Sequence, residues 1–195
     1  MTTAPPVVLA GGGPGDPDLL TLRTEAALAA ARLVVADSGL LPLATAFARG
    51  AEVVAAGPDP EATAAALTES GGPAVRLYRG DPWLHPDYAA EAAALAARGV
   101  ATEAIPGPPV ETALAGAAGL ALHHRPVSVT LTLGSLDSGG GDGVARTRAS
   151  EVPDVQAAVA SLVPAGRPWA AVVDGAVRRD GAPGAGLLVV GEVAR

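Results

Sequence analysis

The sequence predicts an α/β protein built on a parallel sheet with helices on both faces. Short apolar runs alternate with alanine-rich stretches of helical composition about five times in the first 120 residues. The connections between them are short, and 49% of the 195 residues are hydrophobic, enough for a packed core. Open parallel sheets bind ligands beyond the carboxyl ends of their strands. We therefore look for function in the loops that follow the strands.

The predicted elements of this sheet follow one another in a regular order. The strands are the apolar runs Val7–Ala10, Leu33–Ala36, Ala51–Ala56, Ala74–Tyr78 and Val100–Ile105. The helices between and after them are Leu19–Ala31, Leu41–Ala48, Glu61–Glu69, Asp87–Arg98 and Val110–Gly119. Asp59-Pro60 precedes the third helix, and these residue types favour a cap and a first turn.

The remainder of the chain predicts a second, shorter domain. We place the boundary near Arg125-Pro126, which gives an N-terminal domain of residues 1–125 and a C-terminal domain of residues 126–195. The predicted elements of the second domain are a half-exposed strand at Val127–Leu133, a helix at Pro153–Val163, and strands at Trp169–Val173 and Leu187–Val193. The glycine- and serine-rich residues 135–143 are typical of a linker or flexible loop.

Composition excludes several classes of protein. The net charge of −7 argues against a general nucleic-acid binder, and the absence of Cys excludes disulfides, thiolate zinc sites, iron–sulfur clusters and a cysteine nucleophile. No apolar run reaches the roughly 18 residues of a membrane span. No basic residue precedes Val7–Ala10, so we expect no secretory signal and a cytoplasmic location. The three His residues form no chelating pattern, so we predict no metal site.

Glycine-rich loops follow two of the predicted strands. The first is Gly11–Pro17 (GGGPGDP), where glycines would let the backbone approach a ligand closely. It is not a dinucleotide fingerprint, because the third glycine of that motif would fall on Asp16, and no Lys follows as in a P-loop. The second is Arg79–Trp83 (RGDPW), where Asp81 offers an acceptor to an amine or hydroxyl. The simpler alternative for both loops is a tight turn.

Taken together, the loops and their flanking strands resemble the tetrapyrrole methylases, nearest to the uroporphyrinogen-III C-methyltransferase branch. The opening segment is residues 8–23, VLAGGGPGDPDLLTLR. The likeness continues through ARLVVAD at 31–37, VRLYRGDPW at 75–83, IPG at 105–107 and GLALHHR at 119–125. Residues 173–175 and 189–193 resemble the family's closing strands.

The resemblance implies a fold and an activity. The fold is a two-domain tetrapyrrole-methylase-like α/β structure, with a parallel sheet in the N-terminal domain and a smaller mixed sheet in the C-terminal domain. The activity is methyl transfer from S-adenosyl-L-methionine, bound between the domains, to a uroporphyrinogen- or precorrin-like substrate in siroheme or cobalamin biosynthesis. Family members are usually homodimers.

The resemblance also implies site residues, matched position by position. Asp37 falls on the family's proposed acid/base aspartate. The cofactor-contacting positions correspond to Pro14, Arg79, Gly80, Asp81, Leu84, Pro109, Val110 and Gly175. Since the chain has no Lys, we expect Asp37 to have no cationic neighbour and to be easier to protonate than an exposed aspartate. Arg23, Arg79 and Arg125 are candidates for contacts with substrate carboxylates, with a solvated surface position as the favoured alternative for each of them.

Several departures from the family pattern leave an alternative open. Ala56-Gly57-Pro58 stands where the family often has Val-Gly-Lys, and Pro109 replaces a cofactor-contacting threonine, which removes a hydroxyl and a backbone donor. The second domain is short, and we expect its strand around Val144–Ser150 to be weak or absent. The alternative is a catalytically inactive member with a cofactor-binding, scaffold or regulatory role. An unrelated nucleotide-binding enzyme is a third hypothesis. Trp83 and Trp169 are expected to be packing residues.

Overall fold

The computed structural model describes residues 5–120, 122, 148–152, 169–173, 176–179 and 186–190. The chain divides into two compact units, Met1–Val110 and Glu111–Arg195. The boundary predicted near Arg125-Pro126 lies outside the described residues, so the predicted domain limits stay a prediction. No helix within the described ranges is long and apolar enough to cross a bilayer.

The first unit contains the alternating strands and helices that the sequence predicts. Its strands are β1 (Val7–Gly11), β2 (Leu33–Ala36), β3 (Glu52–Ala55), β4 (Ala74–Tyr78) and β5 (Thr102–Ile105). Its helices are α1 (Leu22–Ala30), α2 (Leu41–Phe47), α3 (Pro60–Glu69) and α4 (Tyr88–Ala97), and α5 (Val110–Ala117) continues into the second unit. Three single-turn 3₁₀ helices, Pro17–Leu19, Ser38–Leu40 and Pro82–Leu84, follow β1, β2 and β4.

Side-chain caps explain where the first helices begin. The predicted helix Leu19–Ala31 is divided, because the Thr21 side chain accepts a hydrogen bond from the Thr24 N–H and starts α1 there. Asp59 accepts from the Glu61 N–H and caps α3, as predicted. Asp16 caps the first 3₁₀ turn in the same way. The acidic residues of these loops thus stabilise turns that lie next to the carboxyl ends of the strands.

The five strands form one parallel sheet in the order β3-β2-β4-β1-β5. β4 is central, with Gly11 of β1 opposite Tyr78 and Ala36 of β2 opposite Leu77. Because the carboxyl ends of parallel strands share one edge, the loops after β1, β2, β4 and β5 emerge side by side. This carboxyl edge is where the sequence predicts a ligand site.

Alternate strand residues pack against different helices, which confirms that the sheet is covered on both faces. One apolar cluster joins Val34, Val75 and Leu77 of the sheet to Leu28 of α1 and Leu43 of α2. The other cluster joins strand residues to α3 and α4; its buried members are Val7, Leu9, Leu33, Val35, Ala64, Leu67, Ala74, Tyr78, Ala94 and Leu95. The period of two along the strands therefore separates two cores.

The described strands of the second unit form an antiparallel sheet. They are β6 (Arg148–Val152), β7 (Trp169–Val173), β8 (Ala176–Arg178) and β9 (Gly186–Val190), in the order β6-β9-β7-β8. All three described pairings are antiparallel, whereas the resemblance implies a mixed sheet. The predicted strand Val127–Leu133 and helix Pro153–Val163 lie outside the described residues.

Two of these strands differ from the sequence predictions. The expectation of a weak or absent strand around Val144–Ser150 is wrong, because β6 pairs with β9 along its whole length. The polar sequence RASEV gives no apolar alternation, so only the pairing partner reveals this strand. β8 was not predicted, since three residues are too few for a pattern. β7 has the predicted bounds.

Candidate active site

Three loops of the first unit meet at the carboxyl edge through their backbones. After β1, the Gly12 N–H donates to the Tyr78 carbonyl at 2.8 Å. Gly13 and Gly80 then exchange two hydrogen bonds, at 3.3 Å and 2.8 Å between nitrogen and oxygen. These bonds form an isolated antiparallel bridge between the loops after β1 and β4. The two glycine-rich loops that the sequence singles out are thus held in direct contact.

The close approach of the loops requires glycine. A Cβ on Gly11 would lie 2.5 Å from the Gly80 carbonyl oxygen, and one on Gly107 would lie 2.6 Å from the same atom. Gly80 itself has φ +78°, a conformation that other L-residues rarely adopt. We call Gly11, Gly13, Gly80 and Gly107 the glycine junction. It joins the loops after β1, β4 and β5 with no side chain between them.

Asp81 braces the glycine junction. Its Oδ1 accepts a hydrogen bond from the Trp83 N–H at 2.8 Å and caps the third 3₁₀ turn. Its Oδ2 accepts from the Gly107 N–H at 3.3 Å, which links the loops after β4 and β5. Asp81 was predicted as an acceptor for a ligand. The structure gives it a bracing role, with one protein donor on each oxygen.

Apolar side chains lie around the glycine junction. Leu84 is 45% exposed, while Val110 is buried and packs its Cγ2 atom against Gly80. Pro14 and Pro109 are half-buried. Trp83 is 62% exposed, so its prediction as a packing residue is wrong, although its ring lies 4.7 Å from that of Tyr88. Of the predicted contact residues, only Gly175 lies outside the described residues.

Asp37 follows β2 and lies beside the loop after β4. Its Oδ1 accepts a hydrogen bond from Arg76 Nη1 at 2.8 Å. Its Oδ2 accepts from the backbone N–H of Arg79 at 2.7 Å and lies 3.1 Å from Nε2 of His85. The Asp37 side chain is 18% exposed and caps no helix. Asp37 therefore anchors the turn that leads into Gly80.

These contacts determine the protonation state of Asp37. Burial acts to raise the pKa of its carboxyl, but the hydrogen bond from His85, the charge of Arg76 and the Arg79 N–H outweigh burial and lower the pKa to about 2. The expectation of an easily protonated Asp37 without a cationic neighbour is wrong. β2 and β4 are adjacent strands, so Arg76 reaches the Asp37 carboxylate.

Behind Asp37 lies a buried charge cluster, which consists of Arg76, Tyr78 and Glu91. Arg76 Nε donates to the two Glu91 carboxylate oxygens at 3.1 and 2.9 Å, and Arg76 Nη1 also donates to the Leu77 carbonyl. The Tyr78 hydroxyl donates to Glu91 Oε2 at 2.5 Å. Arg76 and Glu91 are each only 1% exposed. A single guanidinium therefore bridges two carboxylates, one of them at the candidate site.

The environment of the cluster keeps Arg76 charged and Tyr78 neutral. Burial and the hydrogen bond to Glu91 raise the pKa of the Tyr78 hydroxyl. Although burial opposes its charge, the carboxylates of Asp37 and Glu91 raise the pKa of Arg76. The sequence patterns do not single out this cluster as functional. The available signal was one charged residue in the apolar strand β4 and one in the alanine-rich helix α4.

His85 lies on the other side of Asp37. Its Nδ1 accepts a hydrogen bond from the Asp87 N–H at 3.3 Å, so the proton of the neutral ring lies on Nε2 and points to Asp37. The Asp87 carboxylate lies 3.9 Å from Nδ1, and the Tyr78 ring centroid lies 5.1 Å from that of His85. The imidazole is thus placed between two carboxylates.

Of the three arginines that are candidates for contacts with substrate carboxylates, the structure describes two. Arg23 forms an ion pair with Glu103. The Arg79 residue is exposed, and Arg125 lies outside the described residues. Within the described ranges, no three His, Asp or Glu side chains are grouped as they would be around a metal ion.

Comparison with known proteins decides the family. Residues 6–175 match the family described as Tetrapyrrole (Corrin/Porphyrin) Methylases. The chain belongs to this family. The predicted family and the predicted α/β fold are therefore confirmed.

Individual relatives agree with this assignment. A siroheme synthase of Pseudomonas fluorescens is 34% identical over 155 residues, which cover 73% of this chain and 33% of that protein. A uroporphyrin-III-C-methyltransferase of Thermus thermophilus is 29% identical, with a TM-score of 0.78 over 96% of this chain and 92% of that one. A second Thermus thermophilus structure, 26% identical with a TM-score of 0.74, contains S-adenosylhomocysteine; the match covers 98% of this chain and 94% of that one. The chain spans about a third of the length of the siroheme synthase.

Proposed function

We propose that this chain is an S-adenosylmethionine-dependent methyltransferase that acts on a uroporphyrinogen- or precorrin-like tetrapyrrole. The observation that carries the proposal is the glycine junction, which brings three backbone loops together at the carboxyl edge of a parallel sheet. Membership in the tetrapyrrole methylases and the similarity to a methyltransferase with bound S-adenosylhomocysteine support it.

The residues around the junction fit a methyl donor. Glycine backbones allow close approach of the amino-acid and adenosine groups, and the exposed side chain of Leu84 offers an apolar contact. In the first unit, Pro14, Arg79, Gly80, Asp81, Leu84, Pro109 and Val110 would hold it, with Gly175 as a further predicted contact. When bound, the donor supplies an electrophilic methyl group. The protein's part is to align the reactants, since alignment supplies much of the rate of such a displacement.

The substrate class is supported by the exposed groups at the same edge. Trp83 and Leu84 present apolar surface, and Arg79 provides a nearby cation. A uroporphyrinogen-like macrocycle combines an apolar ring with many carboxylates, which match apolar contacts and arginine, respectively. The Thermus thermophilus relative is a methyltransferase for uroporphyrin-III.

The direct test is transfer of a labelled methyl group from S-adenosylmethionine to uroporphyrinogen III, followed by mass spectrometry of the tetrapyrrole. We expect product that is heavier by one or two methyl groups, as in stepwise methylation. The variant Gly107→Ala disturbs the glycine junction, because its Cβ would lie 2.6 Å from the Gly80 carbonyl oxygen. This variant should have strongly reduced turnover. Absence of methylated product from the unmodified protein would contradict the proposal.

A second candidate function is cofactor binding without catalysis. It is favoured by Pro109, which has neither a hydroxyl nor a backbone donor, and by the absence of Lys from the chain. This candidate predicts that S-adenosylhomocysteine binds but that no reduced tetrapyrrole is methylated. Binding and turnover measured on one preparation separate the two functions.

We also propose that the chain acts as a homodimer in the cytoplasm. Leu22, the first residue of α1, is 83% exposed, and Leu19, three residues earlier, is 38% exposed. Burial of these two side chains against a second copy of the chain would remove apolar surface from water. Sedimentation equilibrium at tens of micromolar should give twice the 19.0 kDa chain mass. A mass of one chain throughout would refute the dimer. The cytoplasmic location stays a prediction from sequence.

A further inference from the structure

We propose that His85 accepts the proton that the substrate loses on methylation, and that Asp37 orients it. His85 has this role only if the chain is the methyltransferase proposed above, so the assignment rests on that function. The observation behind it is the contact between His85 Nε2 and Asp37 Oδ2 at 3.1 Å. A carboxylate that holds one imidazole nitrogen leaves the other as the basic one, as in other Asp–His pairs.

Asp37 itself is a poor proton acceptor. Arg76, the Arg79 N–H and His85 all donate to its carboxylate, so both oxygens are occupied. Its pKa of about 2 makes the carboxylate a weak base at neutral pH. General bases work best when their pKa lies near the operating pH, and histidine is the residue type that changes charge between about pH 5 and 8.

Charged and aromatic groups surround the His85 imidazole. Two carboxylates face the ring, that of Asp37 at 3.1 Å from Nε2 and that of Asp87 at 3.9 Å from Nδ1. The Arg76 guanidinium also contacts Asp37, and its charge is shared with Glu91. The neutral Tyr78 ring packs against the imidazole at 5.1 Å between centroids. An imidazolium formed during turnover would lie beside both carboxylates.

Nδ1 is the atom at which the proton would arrive. In this structure it accepts a long 3.3 Å hydrogen bond from the Asp87 N–H, a weak contact that a stronger proton donor can displace. After protonation, Nδ1 would donate to the Asp87 carboxylate, which is already 3.9 Å away. The side chain is 15% exposed, so the proton can then pass to water.

The proposed step balances in bonds and charge. A new carbon–carbon bond forms between the substrate carbon and the methyl group, and the sulfur–methyl bond breaks with its electron pair left on sulfur. Attack by the pyrrole carbon leaves a positive charge on the methylated ring as an iminium. The adjacent methylene bridge then loses a proton, and the electron pair of its C–H bond forms a carbon–carbon double bond that neutralises the iminium. The proton goes to Nδ1 of His85. No oxidant, reductant or metal is needed.

The test is the pH dependence of kcat for His85→Gln with S-adenosylmethionine and uroporphyrinogen III. The glutamine amide still donates a hydrogen bond to Asp37 but takes up no proton, so the structural contact is retained while the base is removed. We expect kcat to fall by about 100-fold or more and the acid limb of the pH profile to disappear. The Kd for S-adenosylhomocysteine should not change. Asp87→Asn keeps the backbone donor and the imidazole but removes one of the two carboxylates that face the ring, so the acid limb should remain and move to lower pH.

The outcomes distinguish this assignment from the proposed function. If the parent methylates and His85→Gln matches its kcat and pH profile, His85 is not the proton acceptor, while the methyltransferase stands. If the parent does not methylate, the proposed function fails and the assignment fails with it. Nitrogen NMR of the parent, in which only three histidines contribute, gives a second measurement that needs no variant. The neutral ring should carry its proton on Nε2, and a proton on Nδ1 would overturn the assignment.

Discussion

The two faces of the parallel sheet are built differently. On the face covered by α1 and α2, the buried side chains are apolar, with Leu28 and Leu43 against Val75 and Leu77. On the face covered by α3 and α4, Arg76 lies in the middle of the core and binds Glu91. Both residues are almost completely buried, so they lose hydration. Their contacts with each other and with Asp37, the Leu77 carbonyl and Tyr78 replace it. The apolar face stabilises the fold, whereas the polar face also connects the core to Asp37 at the carboxyl edge.

The largest effect should come from Arg76→Met. This change leaves the buried Glu91 carboxylate and Asp37 without their cation, and breaking one member of a buried pair typically costs about 3–5 kcal/mol. Urea unfolding at pH 7 measures the loss. Arg98 pairs with Glu61 on the surface of the same helix layer, and Arg98→Met should cost about 1 kcal/mol or less. Equal losses of unfolding free energy in the two variants would show that the buried pair contributes no more to stability than the surface pair.

A double variant tests whether the polar face costs stability. Arg76→Met with Glu91→Met replaces the buried ions by apolar side chains of similar length, and such replacements are often neutral or stabilising. We expect the double variant to recover part of the stability lost in Arg76→Met, but not all, because Asp37 still lacks its cation. A double variant less stable than the single one would contradict this expectation.

On the apolar face, Leu28→Ala should cost about 2–5 kcal/mol. Leu28 is completely buried, and its removal leaves a cavity between α1 and the sheet. Variants on the two faces of the sheet should differ in their effect on cofactor binding. Leu28→Ala should lower the urea midpoint and leave the Kd for S-adenosylhomocysteine unchanged at 10 °C, while Arg76→Met weakens binding as well. If the two variants bind equally well, the buried charge cluster has no link to the site.

A smaller, pH-dependent effect is expected for Asp37→Asn. The folded-state pKa of about 2 lies below the ordinary 3.8, so the carboxylate stabilises the fold above about pH 4, and this contribution is lost as the pH falls toward 2. A shift of this size corresponds to about 2 kcal/mol. Unfolding at a series of pH values should show Asp37→Asn less stable at neutral pH, with the difference shrinking below pH 4. A pH-independent difference would exclude the ionic role.

The remaining variant changes the glycine junction itself, at a stability cost similar to that of Asp37→Asn. Gly107→Ala forces the backbone near Gly80 to shift, at an expected cost of about 1–3 kcal/mol. Gly57→Ala is the matched control, because no atom lies within 4 Å of its added Cβ. The control should differ from the parent by about 0.5 kcal/mol at most. If both variants behave alike, close backbone approach is not what the junction requires.

Much of the fold follows from the sequence, because the short apolar runs that predict strands and the alanine-rich stretches that predict helices are both local signals. The strands Leu33–Ala36 and Ala74–Tyr78 have the bounds that their apolar runs predict, and the glycine loops were recognised as candidate site segments. The strand order was not available from those signals. As a result, the sequence did not reveal the contact between Asp37 and Arg76, which depends on β2 lying beside β4. We therefore expected a carboxyl that is easy to protonate, whereas the pKa of Asp37 is lowered. Similarly, β6 owes its existence to its partner β9 rather than to its own polar sequence.

Calorimetric titration with S-adenosylhomocysteine is the most direct test of the idea that the glycine junction of the first unit is a cofactor site. The unmodified chain should bind with a micromolar Kd, about −8 kcal/mol, and Gly107→Ala should bind at least tenfold more weakly, while Gly57→Ala binds like the parent. Absence of binding heat at millimolar ligand, or equal affinity in Gly107→Ala and the parent, would contradict the assignment of the junction as the cofactor site.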